Sequence, residues 1–372
     1  MDGNIMTFSP QQVAAIDAAG RWIKRGAREQ QIFRLFGYAG TGKTTIAKHL
    51  AEGLDGEVVY AAFTGKAALM MQRHGCENAS TIHSLIYRPH ARYNGEVEFV
   101  LNRESDAAEA ALIVVDECSM VDAELAQDLM SFGKPILVLG DPEQLPPVNG
   151  AGFFTSGKPD AMLTEIHRQA KNNPIILLAT VVRKGLILPY RNYGQSKVVK
   201  DEGLELSEIL AADQILVGKN QTRHELNASI RDALGRKSKM PEVGDRLVCL
   251  RNDHNLGIFN GGLFTVSKVP KYNSRQRVLN MEVLSEDFPD NPPLAIKVRR
   301  EFFIGGNEDL DWSELRGTQR FNYGYALTTH KAQGSQWANV IIQDESAVFG
   351  VDRQRWLYTA ITRAMERVTI VR

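Results

Sequence analysis

Short, largely apolar runs recur through the first part of the chain and predict buried β-strands. These runs lie at positions 32–36, 58–63, 111–115 and 136–139. Runs of this length without polar alternation are typical of strands that are covered on both faces. A segment with helical character follows the first run, at 46–50. Strands that alternate with helices predict an α/β fold built on a parallel sheet.

The second part of the chain repeats this pattern and then interrupts it. A helix is expected at 174–184, a strand at 214–217 and a helix at 223–234. Between about 243 and 303, turn signals such as Asn260-Gly261-Gly262 separate short strands. Those strands are expected at 246–250, 263–269, 278–284 and 295–298. Because α/β strand patterns return at 324–328, 339–343 and 368–371, we interpret 243–303 as an inserted antiparallel β module, which can form a small barrel.

A different signal interrupts the first α/β segment. Asn94-Gly95 lies between extended patterns at 91–93 and 96–100. Asn-Gly is the strongest short signal for a β-hairpin. We therefore expect a hairpin within 88–109 that protrudes between two core elements, with Tyr93 beside its tip. The alternative is a surface hairpin without a role.

Composition narrows the class of protein only slightly. The 372 residues contain 44 Lys and Arg and 44 Asp and Glu, so the formal net charge is zero. The chain lacks the basic excess common in nucleic-acid binders, although a local groove can still be basic. Cys76, Cys118 and Cys249 have no metal-ligand spacing, which indicates a reducing compartment. Without a signal-peptide pattern or a long apolar run, we expect a cytoplasmic protein without a membrane partner.

The sequence GYAGTGKTT follows the first predicted strand and opens a predicted helix. This is the phosphate-binding loop in its expected context, so we expect ATP with Mg²⁺. Lys43 is expected to reach the β- and γ-phosphates, and the Thr44 hydroxyl to bind Mg²⁺. The loop residues expected to surround the phosphates are Gly37, Gly40, Thr41, Gly42 and Thr45.

Polar residues follow two of the other predicted strands. Asp116 and Glu117 end the strand at 111–115, where Asp116 would hold Mg²⁺ through its hydration shell. Glu117 would orient or deprotonate the attacking water. Gln144 follows the strand at 136–139 and could sense the γ-phosphate. Paired acids in a loop usually mean only solvation, but their position downstream of a phosphate loop favours catalysis.

Other side chains have two interpretations at this stage. Gln12 can close a capping box with Ser9, or its amide can read the adenine edge of ATP. Thr64 and Lys66 follow a strand and could contact a phosphate-bearing ligand, although a loop lysine is usually just solvated. His83 is a core or capping residue, or else it contacts a phosphate or base.

Eight short segments, in their order along the chain, resemble the motifs of a known family. These segments are GYAGTGKTT, FTGKAA, STIHS, VVDECSMVD, LGDPEQLPPV, LTEIHRQ, YALTTHKAQGSQW and YTAITRA. Together they resemble the ordered motifs of superfamily 1 DNA helicases, in particular the RecD-like 5′-to-3′ branch with its phage Dda-type members. The resemblance runs from Gln12 to Arg363.

The resemblance implies an α/β fold with two tandem RecA-like P-loop domains and ATP in the cleft between them. It implies a first domain at 1–165, in which 88–109 forms a β-hairpin that acts as a strand-separating pin. It implies a second domain at 166–242 plus 316–372. The segment 243–315 would be an SH3-like β-barrel inserted into that second domain.

The resemblance also implies roles for individual residues. Gln12 would read adenine, and Arg168 and Arg363 would close onto the γ-phosphate, although either arginine could be a structural salt-bridge partner. The motifs that line the DNA track contain Thr64, Lys66, Thr81, His83, Thr328, His330 and Lys331, and Tyr93 lies in the pin. Gly334 and Gln336 lie between nucleotide and track. Gln336 stands where many members have Glu, so it keeps a ribose hydrogen bond without the charge.

The implied activity is ATP-dependent unwinding of duplex DNA by movement along a single strand, in replication, recombination or repair. The expected partners are single-stranded and fork DNA, with a single-strand-binding protein or replication proteins as further candidates, and we expect a monomer. One alternative is a single-strand translocase that unwinds poorly, because the pin region is short. The other is a non-enzymatic scaffold in a recombination or replication complex.

Overall fold

The computed structural model describes residues 8–26, 28–91, 97–146, 152–165, 173–253, 256–269 and 276–372. The backbone divides into two compact units. The first unit comprises Met1–Phe63 and Ala67–Leu186, and the second comprises Thr64–Lys66 and Ile187–Arg372. No helix in the described part of the chain is long and apolar enough to span a membrane.

Strands and helices alternate along the chain up to residue 186. The described strands are β1 (Ile32–Gly37), β2 (Val58–Ala62), β3 (Ser80–Thr81), β4 (Tyr87–Ala91), β5 (Val97–Leu101), β6 (Leu112–Asp116), β7 (Ile136–Gly140) and β8 (Ala161–Leu163). The described helices are α1 (Pro10–Arg25), α2 (Lys43–Glu52), α3 (Gly65–Arg73), α4 (Ile82–Ile86), α5 (Asp106–Glu109), α6 (Ala123–Met130) and α7 (Pro174–Arg183). The four apolar runs correspond to β1, β2, β6 and β7, so those strand predictions are confirmed.

Six of these strands form one sheet, in the order β3-β2-β6-β7-β1-β8. β1 pairs in parallel with β7 and β8, and β6 pairs in parallel with β2 and β7. The carboxyl ends of β1, β6 and β7 therefore lie at the same edge of the sheet. Open α/β sheets bind their ligands at this edge.

Alternate side chains of the central strands fill two hydrophobic layers, one on each face of the sheet. Leu112 and Val114 of β6 join the layer that contains the buried residues of α1 and α2. Ile113 and Val115 of the same strand join the layer that contains those of α4 and α6. Successive side chains of a strand point to opposite faces, so a sheet covered by helices on both faces requires an unbroken apolar run.

β4 and β5 form a separate two-stranded antiparallel sheet. Their register runs from Tyr87 opposite Leu101 to Ala91 opposite Val97. The Asn94-Gly95 turn and Tyr93 lie outside the described residues. The expected segment 88–109 also contains α5, which begins after Ser105 with an acidic residue, Asp106, in its first turn. Negative charge there favours a helix start, so the last part of the expected segment is helical rather than part of the hairpin.

The second unit contains an α/β part and a β part. Its described strands are β9 (Arg191–Tyr193), β10 (Ser196–Val199), β11 (Gln214–Val217), β12 (Arg246–Cys249), β13 (Leu263–Lys268), β14 (Val278–Ser285), β15 (Leu294–Arg299), β16 (Phe321–Tyr323), β17 (Ala326–Thr328), β18 (Trp337–Gln343) and β19 (Ala364–Val371). Its described helices are α8 (Leu206–Leu210), α9 (Asn220–Ala233), α10 (Glu301–Ile304), α11 (Trp312–Leu315) and α12 (Arg353–Ile361). A six-stranded sheet has the order β17-β11-β18-β19-β10-β9, with β9 antiparallel at its edge.

The β part is a five-stranded antiparallel sheet in the order β15-β14-β13-β12-β16. Its first four strands match the strands expected between 246 and 298. The fifth strand, β16, extends this sheet to Tyr323, beyond the expected end of the module at 315. Phe321 of β16 is fully buried in the core of the sheet and lies opposite Cys249 of β12. This pairing between distant segments, rather than any local pattern, forms the strand.

The first compact unit extends to Leu186, past the domain boundary expected at 165. Helix α7 belongs to this unit because it packs beside the loop between β1 and α2. The Arg183 guanidinium lies 3.3 Å from the centre of the Tyr38 ring. A Cβ atom on Gly40 would meet Ile176 at 3.4 Å, so little space separates α7 from the loop.

A buried ion network joins the two parts of the second unit. Asp245, which is fully buried just before β12, accepts from Arg231 Nε of α9 at 2.9 Å and from Arg236 at 3.0 Å. The Tyr325 hydroxyl donates to the same carboxylate at 2.9 Å. Removing one member of a buried ionic group leaves the others without compensation, which is strongly destabilising.

We predict that Asp245→Ala destabilises the protein by about 3–5 kcal/mol because it leaves buried arginines unpaired. The matched control is Glu282→Ala, which breaks the exposed Lys268–Glu282 pair of the same unit and should cost roughly 0–1 kcal/mol. Urea unfolding followed by circular dichroism measures both. Equal effects of the two substitutions would contradict the importance of the network.

Candidate functional site

The loop between β1 and α2 has the backbone that phosphate binding requires. Gly40 and Gly42 adopt positive φ angles of 75° and 83°. Gly37 is needed for a different reason, because a Cβ there would lie 2.6 Å from Thr41 Oγ1 and 2.8 Å from Leu163 Cβ. Glycine at these positions lets backbone N–H groups turn towards one point at the start of α2.

Lys43 points back along this loop. Its Nζ donates to the carbonyl oxygens of Gly37 at 2.7 Å and Tyr38 at 3.2 Å. These neutral acceptors hold the ammonium group within the loop. The oxygens of a triphosphate are anionic and form stronger, charge-assisted hydrogen bonds. Lys43 can therefore exchange the carbonyl oxygens for a phosphate.

The two groups expected to bind Mg²⁺ lie next to each other. Thr44 Oγ1 donates to Asp116 Oδ2 at 3.1 Å, which joins the start of α2 to the end of β6. Burial raises the pKa of Asp116 and the charge of Glu117 raises it further, while the Glu117 N–H hydrogen bond, Lys43 and Thr44 oppose the shift. A divalent cation would favour the ionised carboxylate. This pair of oxygens fits Mg²⁺.

Few protein ligands surround this pair. No group of three or more His, Cys, Asp or Glu that could hold a metal occurs in the ranges the structure describes. Mg²⁺ usually binds through one or two protein oxygens together with water and phosphate oxygens, so the sparse donor set suits it. Glu117 adopts a left-handed backbone, with φ 51° and ψ 43°. Such strain in a non-glycine residue often marks a functional position.

Gln144 supplies an unused polar atom after β7. The residue is 9% exposed, and its Oε1 is buried with no hydrogen-bond partner among the described residues. Leaving such an acceptor unpaired costs about 1–3 kcal/mol, so a donor that binds there is favoured. An attacking water is a donor of this kind. The register of the sheet brings Gln144 to the same edge as Lys43 and Asp116.

A cavity of about 800 Å³ follows the loop and the first turns of α2. Residues 40–45 line one side, and Phe8, His49 and His74 are among the other lining residues. The rings of Phe8 and His49 lie 4.9 Å apart. The volume is that of a site for a drug-sized or nucleotide-sized molecule.

Gln12 forms the predicted capping box, which is confirmed, and also contacts the phosphate loop. Its Oε1 accepts from Ser9 N–H at 2.9 Å, and its Nε2 donates to the Thr41 carbonyl at 3.0 Å. Gln11, which sequence reasoning missed, binds the end of β8 through the backbone N–H groups of Thr164 and Glu165. The two adjacent glutamines therefore contact different segments: Gln11 the end of β8, and Gln12 the phosphate loop. The adenine-reading role of Gln12 stays a prediction.

Lys66, expected on the DNA track, forms an ion pair with Asp287 within the second unit. The two residues are 8% and 9% exposed. Thr64, the other candidate of this segment, is half-buried. Asp287 lies just after β14, in a loop that the sequence did not single out. A carboxylate and a phosphate are both anions that pair with an ammonium group. Asp287 therefore pairs with the lysine that was expected to contact DNA.

Thr81 and His83 have different surroundings in the first unit. Thr81 is 4% exposed and caps α4 by accepting from Ser84 N–H at 3.0 Å. His83 is exposed, and its ring packs 4.6 Å from Tyr87 of β4 and 4.8 Å from Phe99 of β5. His83 is therefore not a core residue. It connects α4 to the two-stranded sheet.

The other track candidates follow β17 in the second unit. Thr328 is 7% exposed, and its Oγ1 accepts from Lys331 N–H at 3.4 Å. His330 has a pKa lowered by burial, against the opposing charge of Asp352, and its ring lies 5.7 Å from Phe349. Lys331 is exposed. The turn after β17 therefore brings these three residues together.

The nucleotide candidates of the second unit lie near β18 and α12. Arg363 is 2% exposed, and its donors meet the carbonyl oxygens of Thr359 at 3.2 Å and Ser335 at 3.4 Å. Gly334 has a φ of 77°, which favours glycine, and Gln336 is exposed. Arg168 and Tyr93 lie outside the described residues. The roles of all these residues stay predictions.

Family models and known proteins match this chain. A family model described as AAA domain matches residues 8–199, and one described as UvrD-like helicase C-terminal domain matches 323–371. The ATP-dependent RecD2 DNA helicase of Deinococcus radiodurans is 31% identical over 378 residues, which cover 90% of this chain and 46% of the relative. The ATP-dependent DNA helicase dda of Enterobacteria phage T4 is 33% identical over 214 residues, which cover 54% of this chain and 47% of the relative. The chain thus spans about half the length of these curated relatives.

Solved structures agree at the level of the fold. Pif1 of Bacteroides bound to single-stranded DNA matches with a TM-score of 0.58 and 18% identity, over 98% of this chain and 92% of that one. The likeness supports an α/β fold with a parallel-sheet P-loop core. The family models and the sequence relatives confirm the predicted resemblance to superfamily 1 helicases of the RecD-like and Dda-type branch.

We predict that Gly37→Ala destabilises the first unit by about 1–3 kcal/mol and weakens nucleotide binding, because its methyl group would overlap Thr41 and Leu163. The matched control is Gly20→Ala inside α1, where nothing lies within 4 Å. It should stabilise the protein by roughly 0.5–1 kcal/mol. Thermal unfolding with and without an ATP analogue measures both effects. A tolerated Gly37→Ala would refute the close packing of the loop.

Proposed function

We propose, because the chain belongs to the AAA domain family, that it is an ATP-dependent DNA helicase that moves 5′ to 3′ along single-stranded DNA. The observation that carries this proposal is the edge of the first sheet. Lys43, the Thr44–Asp116 contact and the unpaired Gln144 oxygen all lie at this edge. The names of the related RecD2 and Dda proteins support the coupling of this ATP site to DNA unwinding.

ATP is the substrate of the first unit in this proposal. Lys43 would hold the β- and γ-phosphates, and Glu117 would orient the attacking water and accept its proton. Gln144 Oε1 would accept a hydrogen bond from that water. Mg²⁺, held by Thr44 and Asp116, would supply positive charge to the phosphates when bound. Gln12 would read adenine from its position beside Thr41.

Two arginines complete the proposed ATPase. Arg168 and Arg363 would act on the γ-phosphate, where a positively charged group stabilises the transition state by roughly 10³-fold or more in related phosphoryl transfers. Arg363 donates to Thr359 and Ser335 in the structure, so it would have to exchange these carbonyl oxygens for phosphate oxygens. Gly334 and Gln336 would link this segment to the DNA track.

The architecture supports corresponding roles for the two β elements. We propose two RecA-like domains, with β4 and β5 as the strands of a strand-separating pin that includes Tyr93. The ring contacts of His83 with Tyr87 and Phe99 support a link from the pin to the DNA track. The sheet formed by β12–β16 would be the SH3-like insertion.

The proposed DNA track consists of Thr64, Lys66, Thr81, His83, Thr328, His330 and Lys331. Its ligands would be single-stranded and fork DNA, with single-strand-binding or replication proteins as further partners of a monomer. Replication, recombination and repair are the processes that such an enzyme serves.

A translocase that unwinds poorly is the second candidate. The observation that favours it is the length of β4 and β5, at five residues each, which makes a short pin. A non-enzymatic scaffold is less well supported, because the complete set of catalytic side chains would then have no task.

ATP hydrolysis and unwinding test the proposal together. Wild-type protein should hydrolyse ATP faster with single-stranded DNA, and Lys43→Ala should abolish that stimulation because the phosphates lose their main cation. With ATP and Mg²⁺, wild type should release the strand of a 5′-tailed duplex and not of a 3′-tailed one. Stimulated hydrolysis without strand release would favour the translocase. No stimulation above Lys43→Ala would leave only the scaffold.

We further predict that Asp287→Asn strengthens binding to single-stranded DNA several-fold, because it releases Lys66 to pair with a phosphate. Titration of fluorescent oligothymidine at fixed salt measures the affinity. The matched control is Asp290→Asn, which removes the same charge from an exposed position in the same loop. Equal affinities of the two variants for oligothymidine would show that the ion pair with Asp287 does not prevent Lys66 from binding DNA.

A further inference from the structure

Four cations of the second unit form a group that the motifs do not assign as a whole. Lys331 follows β17, and Arg223 lies on α9. Arg251 follows β12, and Arg320 precedes β16. Only Lys331 belongs to a recognised motif, and the three arginines resemble ordinary surface residues in the sequence.

The fold fixes Arg223 beside the end of β17. One helical turn along α9, the Asn227 side chain accepts from Ala326 N–H at 3.0 Å and donates to the Ala326 carbonyl at 3.1 Å. Asn227 also donates to the Arg223 carbonyl at 2.8 Å. This two-way contact with β17 sets the position of α9 along the strand. Arg223 is therefore placed where β17 leads into the turn that carries Lys331.

Arg223 is buried without a carboxylate partner. It is 6% exposed, its Nε donates to Asn220 Oδ1 at 3.2 Å, and its Nη2 lies 2.8 Å from His224 Nε2. Neither Arg223 nor Lys331 makes an ion pair with any residue that the structure describes, and Nη1 of Arg223 makes no hydrogen bond to such a residue. The buried Arg231 of the same helix contrasts with it, because Asp245 neutralises that guanidinium.

The charges of this group act on one another. Desolvation of the ammonium group lowers the pKa of Lys331, and the positive charge of Arg223 lowers it further. Burial lowers the pKa of Arg320, and Arg251 lowers it further. Neighbouring like charges repel one another, so the protein without a bound anion has an unfavourable electrostatic energy. A bound anion would remove this repulsion.

The two pairs of cations are neighbours. Gly261, in the turn between β12 and β13, is so close to the Lys331 carbonyl that an added Cβ would lie 3.7 Å from it. β12 and β16 pair antiparallel, which brings Arg251 and Arg320 to the same end of the β sheet. Asp253 is an acid at this end of the sheet, and its carboxylate accepts from Gln319 Nε2 at 3.0 Å and Leu256 N–H at 3.3 Å. Glu345 is an acid near the start of α9, and its carboxylate accepts from the Thr222 hydroxyl at 2.6 Å.

We propose that Arg223, Lys331, Arg251 and Arg320 form a phosphate-binding strip that holds the backbone of single-stranded DNA between α9 and the five-stranded sheet. This inference rests on the proposed function and deepens it, because it extends the DNA contacts of the second unit beyond the recognised motif. The strip contacts phosphodiesters rather than bases, so it adds affinity and salt dependence without sequence preference.

The test is the salt dependence of oligothymidine binding, measured by fluorescence anisotropy between 50 and about 300 mM NaCl, a range in which phosphate contacts are resolved. Arg223→Gln and Arg320→Gln should each weaken binding several-fold and reduce the slope of log K against log salt by about 0.7 per lost contact. Arg223→Lys keeps the charge and should restore most of the slope. Arg277→Gln, an exposed arginine on the same unit, is the charge-matched control and should bind like wild type.

Thermal unfolding midpoints identify variants that lose binding by misfolding. Arg320→Gln alters a partly exposed residue and decides the result if the buried Arg223 tolerates no change. Wild-type slope and affinity in folded Arg223→Gln and Arg320→Gln, or an equal loss in Arg277→Gln, would overturn the strip while leaving the helicase proposal intact. Failure of wild type itself to bind oligothymidine would overturn the proposed function, and the strip with it.

Discussion

The hydrogen bond between Thr44 and Asp116 is the contact on which the first unit's chemistry depends. It connects the start of α2 to the end of β6, and it exists only because β1, β6 and β7 are parallel and end at one edge. The same register brings Lys43, Glu117 and Gln144 within one region. A nucleotide site thus follows from strand order, and strand order follows from apolar runs that need helices on both faces.

Buried cations of the second unit differ in whether a carboxylate neutralises them. Arg231 and Arg236 share the buried Asp245, which holds α9 against the start of β12. Arg223 lies two turns earlier on α9 and has no such partner among the described residues. Lys66 is also paired, but its carboxylate partner, Asp287, lies in a loop, and we propose that a DNA phosphate replaces it. In our proposal, the buried cations with a fixed carboxylate partner belong to the scaffold, and those without one bind DNA.

The features that could be predicted from sequence were those with a local cause. The glycines of the phosphate loop, the apolar runs of β6 and β7 and the Ser9–Gln12 capping box each depend on residues close in the chain. β16 could not be found this way, because three residues become a strand only by pairing with β12. The Lys66–Asp287 pair joins residues 221 positions apart. In the sequence, nothing separates Arg223 from other helical arginines. Its position depends on the contact between Asn227 and Ala326, which fixes where α9 lies.

The proposed helicase activity requires that ATP binding and hydrolysis change how tightly the protein holds single-stranded DNA. Its most direct test is the dissociation constant of oligothymidine for wild-type protein without nucleotide, with a non-hydrolysable ATP analogue and Mg²⁺, and with ADP and Mg²⁺. The account predicts that these constants differ by about fivefold or more, and that DNA changes the affinity for the analogue by the same factor, as linkage requires. The same constant in all three states would contradict the account.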